Sequence, residues 1–165
     1  MNRYKISALL LLLVSTSCLA APNDTRQPIY ISSDTQSLNM KENIVTFTGN
    51  VVLKQGTVNI HANKVVVTRP GKSSKQEIIQ AYGQPATFHQ ILDNEKPING
   101  EASTMKYDTS SEFLTMTSNA QLIQEGSKIK GNIITYNIQQ QKLMAEGNRK
   151  HRVITVLQPG QFSNK

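Results

Sequence analysis

The feature that most constrains this chain is a pattern of alternating apolar residues that occurs twice. One segment reads TFTGNVVLKQGTVNIHANKVVV (46–67), and a later one reads TMTSNAQLIQEGSKIKGNIITY (115–136). An apolar residue at every second position is typical of half-buried β-strands, and clusters of Gly, Asn and Pro between such runs mark turns. Because almost no part of the chain has helical periodicity, we expect an all-β fold.

A shift of 69 residues relates the two segments. It carries Leu53 to Leu122, and it carries apolar positions onto apolar positions and turn residues onto turn residues. Upstream the better shift is 67, so the sequence predicts an internal repeat over about residues 31–67 and 98–136. Since a repeated β unit stacks on its copy and buries the face that the copy exposes, we expect an elongated β-roll of short antiparallel strands.

Short turn signals separate the expected strands. The pair GN at 49–50 divides two apolar sets, and further signals stand at 41–43, 55–56, 62–63, 69–71 and 93–97. Spacings of about 8–12 residues between turns indicate a sandwich, a barrel or a β-roll. We expect strands to begin near residue 29 and the last strand to be RVITVL, at 152–157.

The first twenty residues have the composition of a secretory leader. Arg3 and Lys5 precede an apolar run that is too short to span a membrane stably, and small residues follow at Cys18 and Ala20. We expect cleavage after Ala20. Lipidation of Cys18 is the alternative, which the lack of a large aliphatic residue at Ser15 disfavours.

Removal of the leader changes the size and charge of the chain. The leader takes 20 of the 165 residues and two of the positive charges, which leaves 145 residues and a net charge of +5 instead of +7. We expect residues 21–157 to form one domain and 158–165 to form a short flexible tail. No cysteine remains after the cut, so neither a disulfide nor thiol chemistry is expected.

The sequence lacks the motifs of common catalytic, metal and nucleotide sites. GKS at 71–73 is not a phosphate-binding loop, because Val66 stands where that motif needs a glycine. The three histidines are isolated, and Asp34 and Glu101 recur with the repeat, which favours a structural role at turns. Few aromatic residues accompany the basic ones. We therefore expect no enzymatic activity, no cofactor or metal, and no nucleic-acid partner.

Long stretches of the chain closely resemble one family. The residues PIYISSDTQSLNMKENIVTFTGNVVLKQGTVNIHANKVVVTRPG (28–71), YGQPATFHQ (82–90) and RVITVLQP (152–159) match, in order, the OstA-like proteins of lipopolysaccharide transport. The resemblance covers nearly the whole chain after the leader. The chain departs from the family at Asn63 and Asn132, where the family often has Asp.

The resemblance implies a fold and a function. The fold is a twisted β-jellyroll, open like a folded V, with a continuous apolar groove on its inner face. The implied function is to bind lipopolysaccharide in the periplasm and to carry it, through copies stacked head to tail, from the inner to the outer membrane. The implied partners are LptC at the inner membrane, the N-terminal domain of LptD at the outer membrane, and further copies. A purely structural β-roll adaptor is the alternative.

A carrier of this kind needs a groove and not a catalytic constellation. Burying an acyl chain is worth about 0.8 kcal/mol per CH₂ group, so a lipid with several chains crosses water only when it is shielded. We expect the inward residues of the alternating strands to contact the lipid: Ile29, Ile31, Leu38, Met40, Phe47, Val51, Leu53, Phe88, Met105, Tyr107, Met116 and Leu122.

Three of these residues are the preferred candidates. Ile29, Phe88 and Tyr107 are expected near the ends of the roll or on its less regular strands. The alternative is that all twelve are ordinary core. His61 alternates with an apolar set and is expected to face water.

The first and last strands are expected at opposite ends of the roll. Exposed strand edges usually carry protective devices, which the last strand largely lacks, so its edge suits pairing with a partner strand. Two different ends that pair head to tail give an open filament. The candidate edge residues are Ile29, Tyr30, Ile31, Val153, Ile154, Thr155, Val156 and Leu157. The alternative is that the tail covers the last edge.

Overall fold

A computed structural model describes residues 23–71 and 76–159, which form a single antiparallel sheet. The leader and most of the expected tail lie outside the described residues. A 3-10 turn (Asp24–Arg26) precedes ten strands: β1 (Tyr30–Ser32), β2 (Thr35–Asn39), β3 (Ile44–Gln55), β4 (Val58–Thr68), β5 (Ile78–Ile91), β6 (Pro97–Asp108), β7 (Phe113–Gln124), β8 (Ser127–Asn137), β9 (Lys142–Glu146) and β10 (Ile154–Val156). Within these residues, no helix has the length and apolarity needed to cross a membrane.

The strands follow one another across the sheet with little rearrangement. The hydrogen-bonded order is β1, β3, β4, β5, β6, β7, β8, β10, with β2 also paired to β3 and β9 also paired to β8. The fold is therefore all-β and antiparallel, as the alternation predicts, and β1 and β10 lie at opposite edges. Each edge consists of two short strands, whereas the six strands between them have 11 to 14 residues.

The long strands bend at their centres and do not stop there. The pairing register shifts between Thr48 and Val51 in β3 and between His61 and Lys64 in β4, with similar shifts in the strands that follow. The expected turns at 49–50 and 62–63 are therefore wrong, since both pairs lie inside continuous strands. Residues in the left-handed region, such as Gly49 and Asn50, insert a bulge that bends a strand without reversing it.

The row of bends folds the sheet into two facing halves. Half-sheet A consists of residues 30–32, 51–55, 58–62, 86–91, 97–102, 120–124, 127–131 and 154–156. Half-sheet B consists of residues 35–39, 44–48, 64–68, 78–82, 104–108, 113–117, 133–137 and 142–146. The buried apolar side chains form one cluster between the two half-sheets. The hairpin tips opposite the row of bends form the mouth of the fold.

The backbone repeats with a constant shift of 69 residues. Eight of the twelve positive φ angles in the described residues occur in pairs with this spacing: Asn43 with Glu112, Gly49 with Ser118, Asn50 with Asn119, and Gly56 with Glu125. Equivalent backbone hydrogen bonds also close the two hairpins. The amide of Arg69 donates to the carbonyl of Asn43 (3.2 Å), and the amide of Ile138 donates to the carbonyl of Glu112 (3.0 Å).

The same shift extends upstream of the first hairpin. Ile31 pairs with Leu53, and Gly100 pairs with Leu122, so pairing makes Ile31 equivalent to Gly100. Apolar matching instead predicts Ile98 as the equivalent of Ile31, with a shift of 67. Matching by hydrophobicity failed here because the equivalent position holds a glycine.

Candidate functional site

The interior is lined by rows of apolar side chains that run across the strands. The pairing register places these residues on shared rows in each half-sheet. The main row in half-sheet A is Ile31, Leu53, Ile60, Phe88, Gly100, Leu122 and Ile129, and smaller buried residues lie next to the bends: Val51, Ala62, Ala86, Ala102 and Ala120. The rows in half-sheet B are Phe47, Val65, Ala81, Met105, Met116, Ile134 and Ala145, and then Leu38, Val45, Val67, Ile79, Tyr107, Leu114, Tyr136 and Leu143.

The middle of the interior is filled. The rings of Phe88 in half-sheet A and Tyr136 in half-sheet B meet edge to face, with centroids 5.8 Å apart. A Cβ on Gly100 would lie 2.9 Å from the sulfur of Met116, so the glycine provides the space that this side chain occupies. No room for an acyl chain remains between the half-sheets at this level.

Two tyrosines close the interior toward the mouth. The hydroxyl of Tyr107 donates to Oε1 of Gln55 at 3.0 Å, and that of Tyr136 donates to Oε1 of Gln90 at 2.9 Å. Each bond joins half-sheet B to half-sheet A, and all four residues are buried. Burial, reinforced by nearby carboxylates that include Asp24, raises the pKa of both phenols. The tyrosines therefore remain neutral donors near neutral pH.

The twelve residues expected to contact lipid fall into three groups. Seven are fully buried in the middle, namely Val51, Leu53, Phe88, Met105, Tyr107, Met116 and Leu122. Ile29, Ile31 and Phe47 are half-buried and pack against the cluster, and Leu38 and Met40 are exposed.

Two of the three preferred candidates lie far from the edges of the sheet. Phe88 and Tyr107 are expected near the ends of the roll or on its less regular strands, and they lie on β5 and β6, which are the central strands of the sheet. His61 is exposed, as its alternation predicts.

The interior opens at the edge of the sheet formed by β1 and β2. Here Leu38 and Met40 have exposed fractions of 53% and 79%. They border a cavity of about 220 Å³ that Val45 and Val67 also line, with Arg69 and Glu77 at its rim. These four apolar residues continue the inner face of half-sheet B to the surface.

The interior also opens at the opposite edge, formed by β9 and β10. A cavity of about 210 Å³ is lined there by Ile129 of half-sheet A, by Leu157, which directly follows β10, and by Leu143 of half-sheet B. Leu143 and Leu157 have exposed fractions of 39% and 57%. Sequence reasoning missed Leu143 and Ile129 as site residues, although Leu143 and Ala145 alternate along a short run that was available as a signal.

The outer edge of β10 is free within the described part of the chain. Ile154, Thr155 and Val156 are exposed, and β10 pairs only with β8 among the ten strands. Gln158 bonds back to the β7–β8 turn, through its amide to Oγ of Ser127 (2.9 Å) and its side chain to the carbonyl of Gly126 (3.3 Å). These bonds direct residues 157–158 along β8 and not across β10.

A third cavity lies away from both openings. It measures about 690 Å³, lies beside β10 at the row of bends, and is lined by charged residues that include Glu101 and Lys130 together with apolar ones that include Ala102 and Ile154. Glu101 accepts a hydrogen bond from Gln121 at 2.6 Å in the middle of β6, so it does not occupy a turn. The interior remains the better candidate site, because its buried apolar side chains form one cluster that extends across the sheet. Among residues 23–71 and 76–159, no three His, Cys, Asp or Glu side chains converge as metal ligands would.

The sequence and the structure both match known lipopolysaccharide-transport proteins. Residues 30–142 match the family described as LptA/(LptD N-terminal domain) LPS transport protein. The chain is 54% identical over 153 residues to the lipopolysaccharide export system protein LptA of Haemophilus influenzae, covering 92% of this chain and 89% of that relative. It is 51% identical to LptA of Escherichia coli K12, covering 94% and 84% respectively.

A solved structure extends the likeness to three dimensions. The fold aligns with LptH of Pseudomonas aeruginosa, described as the LptA homologous periplasmic component of the lipopolysaccharide transport device. The TM-score is 0.75 at 25% identity, over 84% of this chain and all of LptH. The fold and the apolar inner face define a β-jellyroll of the lipid-transport class. The chain belongs to the LptA/LptD N-terminal domain family.

Proposed function

We propose that this protein is a periplasmic component of lipopolysaccharide export, and that it shields the acyl chains on the inner face of its folded sheet. It acts as a carrier and not as an enzyme, and the predicted leader delivers it to the periplasm. The observation that carries the proposal is the apolar interior, which extends across the sheet from β1 to β9 and reaches the surface near both edges.

The geometry of the two openings supports assembly of copies head to tail. The cavity bounded by Leu143 and Leu157 lies beside β9 and β10, and the cavity bounded by Leu38 and Met40 lies beside β2. If β10 of one copy pairs with β1 of the next, the two cavities face each other. Their apolar walls then form one path from copy to copy.

The same edges would also pair with the partner proteins at the two membranes. Pairing by strand addition requires an unpaired strand and little else, so a related roll can replace a copy at either end. We propose LptC as the partner at the inner membrane and the N-terminal domain of LptD as the partner at the outer membrane. The family match over residues 30–142, which is shared with LptD N-terminal domains, supports a related roll at the outer-membrane end.

Photocrosslinking tests the carrier. A photoreactive amino acid at Leu38 or Leu143, where the inner face reaches the surface, should form adducts with purified lipopolysaccharide. The same probe at His61, which faces outward, is the matched control. Probes at Phe88 and Tyr107 report whether lipid also reaches the filled middle. A folded protein that forms no adduct at any of these positions would favour the structural adaptor.

Truncation tests the assembly. A chain that ends after Pro159 keeps β10, and a chain that ends after Lys150 loses it. Light scattering of the longer chain should show an average mass that grows with concentration, and the shorter chain should remain at the mass of one copy. Equal growth in both chains would exclude β10 as the joining strand.

A further inference from the structure

The chain segment Asn23–Gln27, here called the clasp, lies across the mouth of the fold. It contains the 3-10 turn and precedes β1. On one side it contacts the hairpin tips of half-sheet A, and on the other side it contacts those of half-sheet B. No sequence motif marks the clasp, and the functions considered above do not use it.

Asp24 joins the clasp to half-sheet A. One carboxylate oxygen accepts from the amide of Thr57 at 2.6 Å, and the other accepts from the hydroxyl of Thr57 at 2.7 Å and from Nε2 of Gln90 at 3.0 Å. Gly56 lies directly under the carboxylate, where a Cβ would collide with Asp24. Gln55 adds bonds from its Nε2 to the carbonyls of Thr25 and Gln27, at 3.1 and 3.0 Å.

Thr25 joins the clasp to half-sheet B. Its hydroxyl lies 2.7 Å from Oε1 of Glu112, at the β6–β7 tip, and 3.2 Å from Oε1 of Gln139, at the β8–β9 tip. The clasp thus spans the mouth directly above the Tyr107–Gln55 and Tyr136–Gln90 bonds. Gln55 and Gln90 connect the tyrosines to the clasp, because each accepts a hydrogen bond from a tyrosine hydroxyl and donates one to the clasp.

Lipid cannot occupy the middle of the interior while the mouth is closed. The side chains there are fully buried and in contact across the half-sheets, so an acyl chain fits only if the half-sheets separate. The row of bends acts as the hinge line, and separation is largest at the mouth. Every hydrogen bond that spans the mouth must then break or stretch.

We propose that the clasp is a reversible strap that holds the two half-sheets together, and that it must release before lipopolysaccharide can occupy the middle of the interior. This inference rests on the proposed function. It assigns to Asp24 and Thr25 a role in gating the same interior.

The chemistry of the clasp suits repeated release. Asp24 is 6% exposed, yet its partners are an amide, a hydroxyl and a carboxamide, and no ion pair holds it within the described part of the chain. A buried carboxylate without a countercharge recovers much of its solvation free energy when it moves into water. The rest of the clasp is polar and half-buried or exposed, so release uncovers little apolar surface.

A reversible cross-link tests the strap. Thr25→Cys and Glu112→Cys place two thiols where two side chains are now in contact, and Cys18→Ser removes the chain's single natural cysteine. A short bis-thiosulfonate reagent then joins the clasp to half-sheet B, and a reductant cleaves the link. We expect the linked protein to bind fluorescent lipopolysaccharide at least tenfold more slowly than the same protein after reduction.

A loosened clasp should give the opposite result. Asp24→Ala removes three hydrogen bonds to a carboxylate, each worth about a tenfold change in the closing equilibrium, so lipopolysaccharide should bind faster than to the natural chain. Asp93→Ala is the matched control, because Asp93 is an exposed carboxylate at the β5–β6 turn and its removal changes the charge equally. Circular dichroism on both variants verifies that the sheet is intact.

The outcomes separate the two proposals. Slow binding by the linked protein that reduction restores supports the strap. Equal binding by the linked and reduced proteins overturns the strap and leaves the carrier function standing. If neither the natural chain nor any variant binds lipopolysaccharide, the carrier function fails and the strap fails with it. The linked protein keeps the test valid even if Asp24→Ala does not fold.

Discussion

The middle and the ends of the interior use the same sequence pattern in different ways. Leu53 and Leu38 both belong to alternating strands and both point inward, but Leu53 is fully buried and Leu38 is about half exposed. The difference arises because a residue in the middle faces the opposite half-sheet, whereas a residue at an edge has neighbours on one side only. One alternating pattern therefore encodes a packed core and two apolar openings.

A buried charge should distinguish the two regions most strongly. Leu53→Asp places an unpaired carboxylate in the middle and should lower the free energy of unfolding by about 3–5 kcal/mol or prevent folding. Leu38→Asp places the same charge at an opening and should lower it by about 1 kcal/mol or less. Urea unfolding of both variants makes the comparison. Similar losses at the two sites would mean that the interior does not open at β2.

Truncation should give the next largest contrast. Phe88→Ala removes a ring that contacts Tyr136 and should cost about 3–5 kcal/mol, because the rigid strands cannot collapse into the cavity. Leu143→Ala, at the β9 opening, should cost less than about 1 kcal/mol. Thermal unfolding followed by circular dichroism measures both. A Leu143→Ala loss as large as that of Phe88→Ala contradicts the assignment of Leu143 to an opening.

Loss of the Tyr107–Gln55 or Tyr136–Gln90 hydrogen bond should have a smaller effect on the free energy of unfolding, and this effect should depend on pH. Tyr136→Phe removes the donor to Gln90 and should cost about 1–3 kcal/mol at neutral pH, since a buried amide oxygen loses its partner. Burial and nearby carboxylates raise the pKa of Tyr107 and Tyr136 above their ordinary value of 10.0. The unfolded chain therefore loses these protons first as the pH rises.

The sign of the pH effect follows from that order. The free energy of unfolding contributed by the two phenols is complete below pH 10 and declines as the pH rises above it. The double variant Tyr107→Phe, Tyr136→Phe should show a shallower decline above pH 10 than the natural chain. Urea unfolding at pH 8, 10 and 11 tests this, and parallel curves for the two proteins would rule out the assigned role of the phenols.

The smallest effect on stability is expected at the edge. Ile154→Lys adds a charge on an exposed strand and should change the free energy of unfolding by less than about 0.5 kcal/mol. The same change should nevertheless prevent growth of head-to-tail species in light scattering, because a lysine on an edge opposes strand addition. His61→Lys, on an outward position away from both edges, is the control. Growth of the Ile154→Lys variant would show that this edge is not the joint.

The sequence predicted the parts of the fold that depend on local rules. Alternation identified the β class and the inward faces around Leu53 and Leu122, and the repeat identified two equivalent hairpins. Local rules failed at 49–50, because Gly-Asn suits a bulge as well as a turn and only the pairing partner distinguishes them. They failed again at Phe88 and Tyr107, because depth in a folded sheet depends on the number of strands on each side.

No sequence pattern predicts the clasp, and the reason is related. Asp24 and Thr25 carry no pattern, and their partners Thr57 and Glu112 lie far along the chain. Their importance depends on the hinge line, which brings distant hairpin tips together. Leu143 was missed because β9 has only five residues and polar residues surround it, so its alternating pattern is too short to indicate an inner face.

The divided edges of the sheet have a mechanical consequence. Each outer strand is broken at the row of bends, at residues 33–34 between β1 and β2 and at residues 147–153 between β9 and β10, while the six inner strands continue through it. In the head-to-tail fibre proposed above, each unit would be stiff and each junction compliant, because the edge strands have only three to five residues on either side of the break. If copies assemble in this way, the fibre would be able to curve or to accommodate a change in the distance between its anchors without disturbing the interior of any unit.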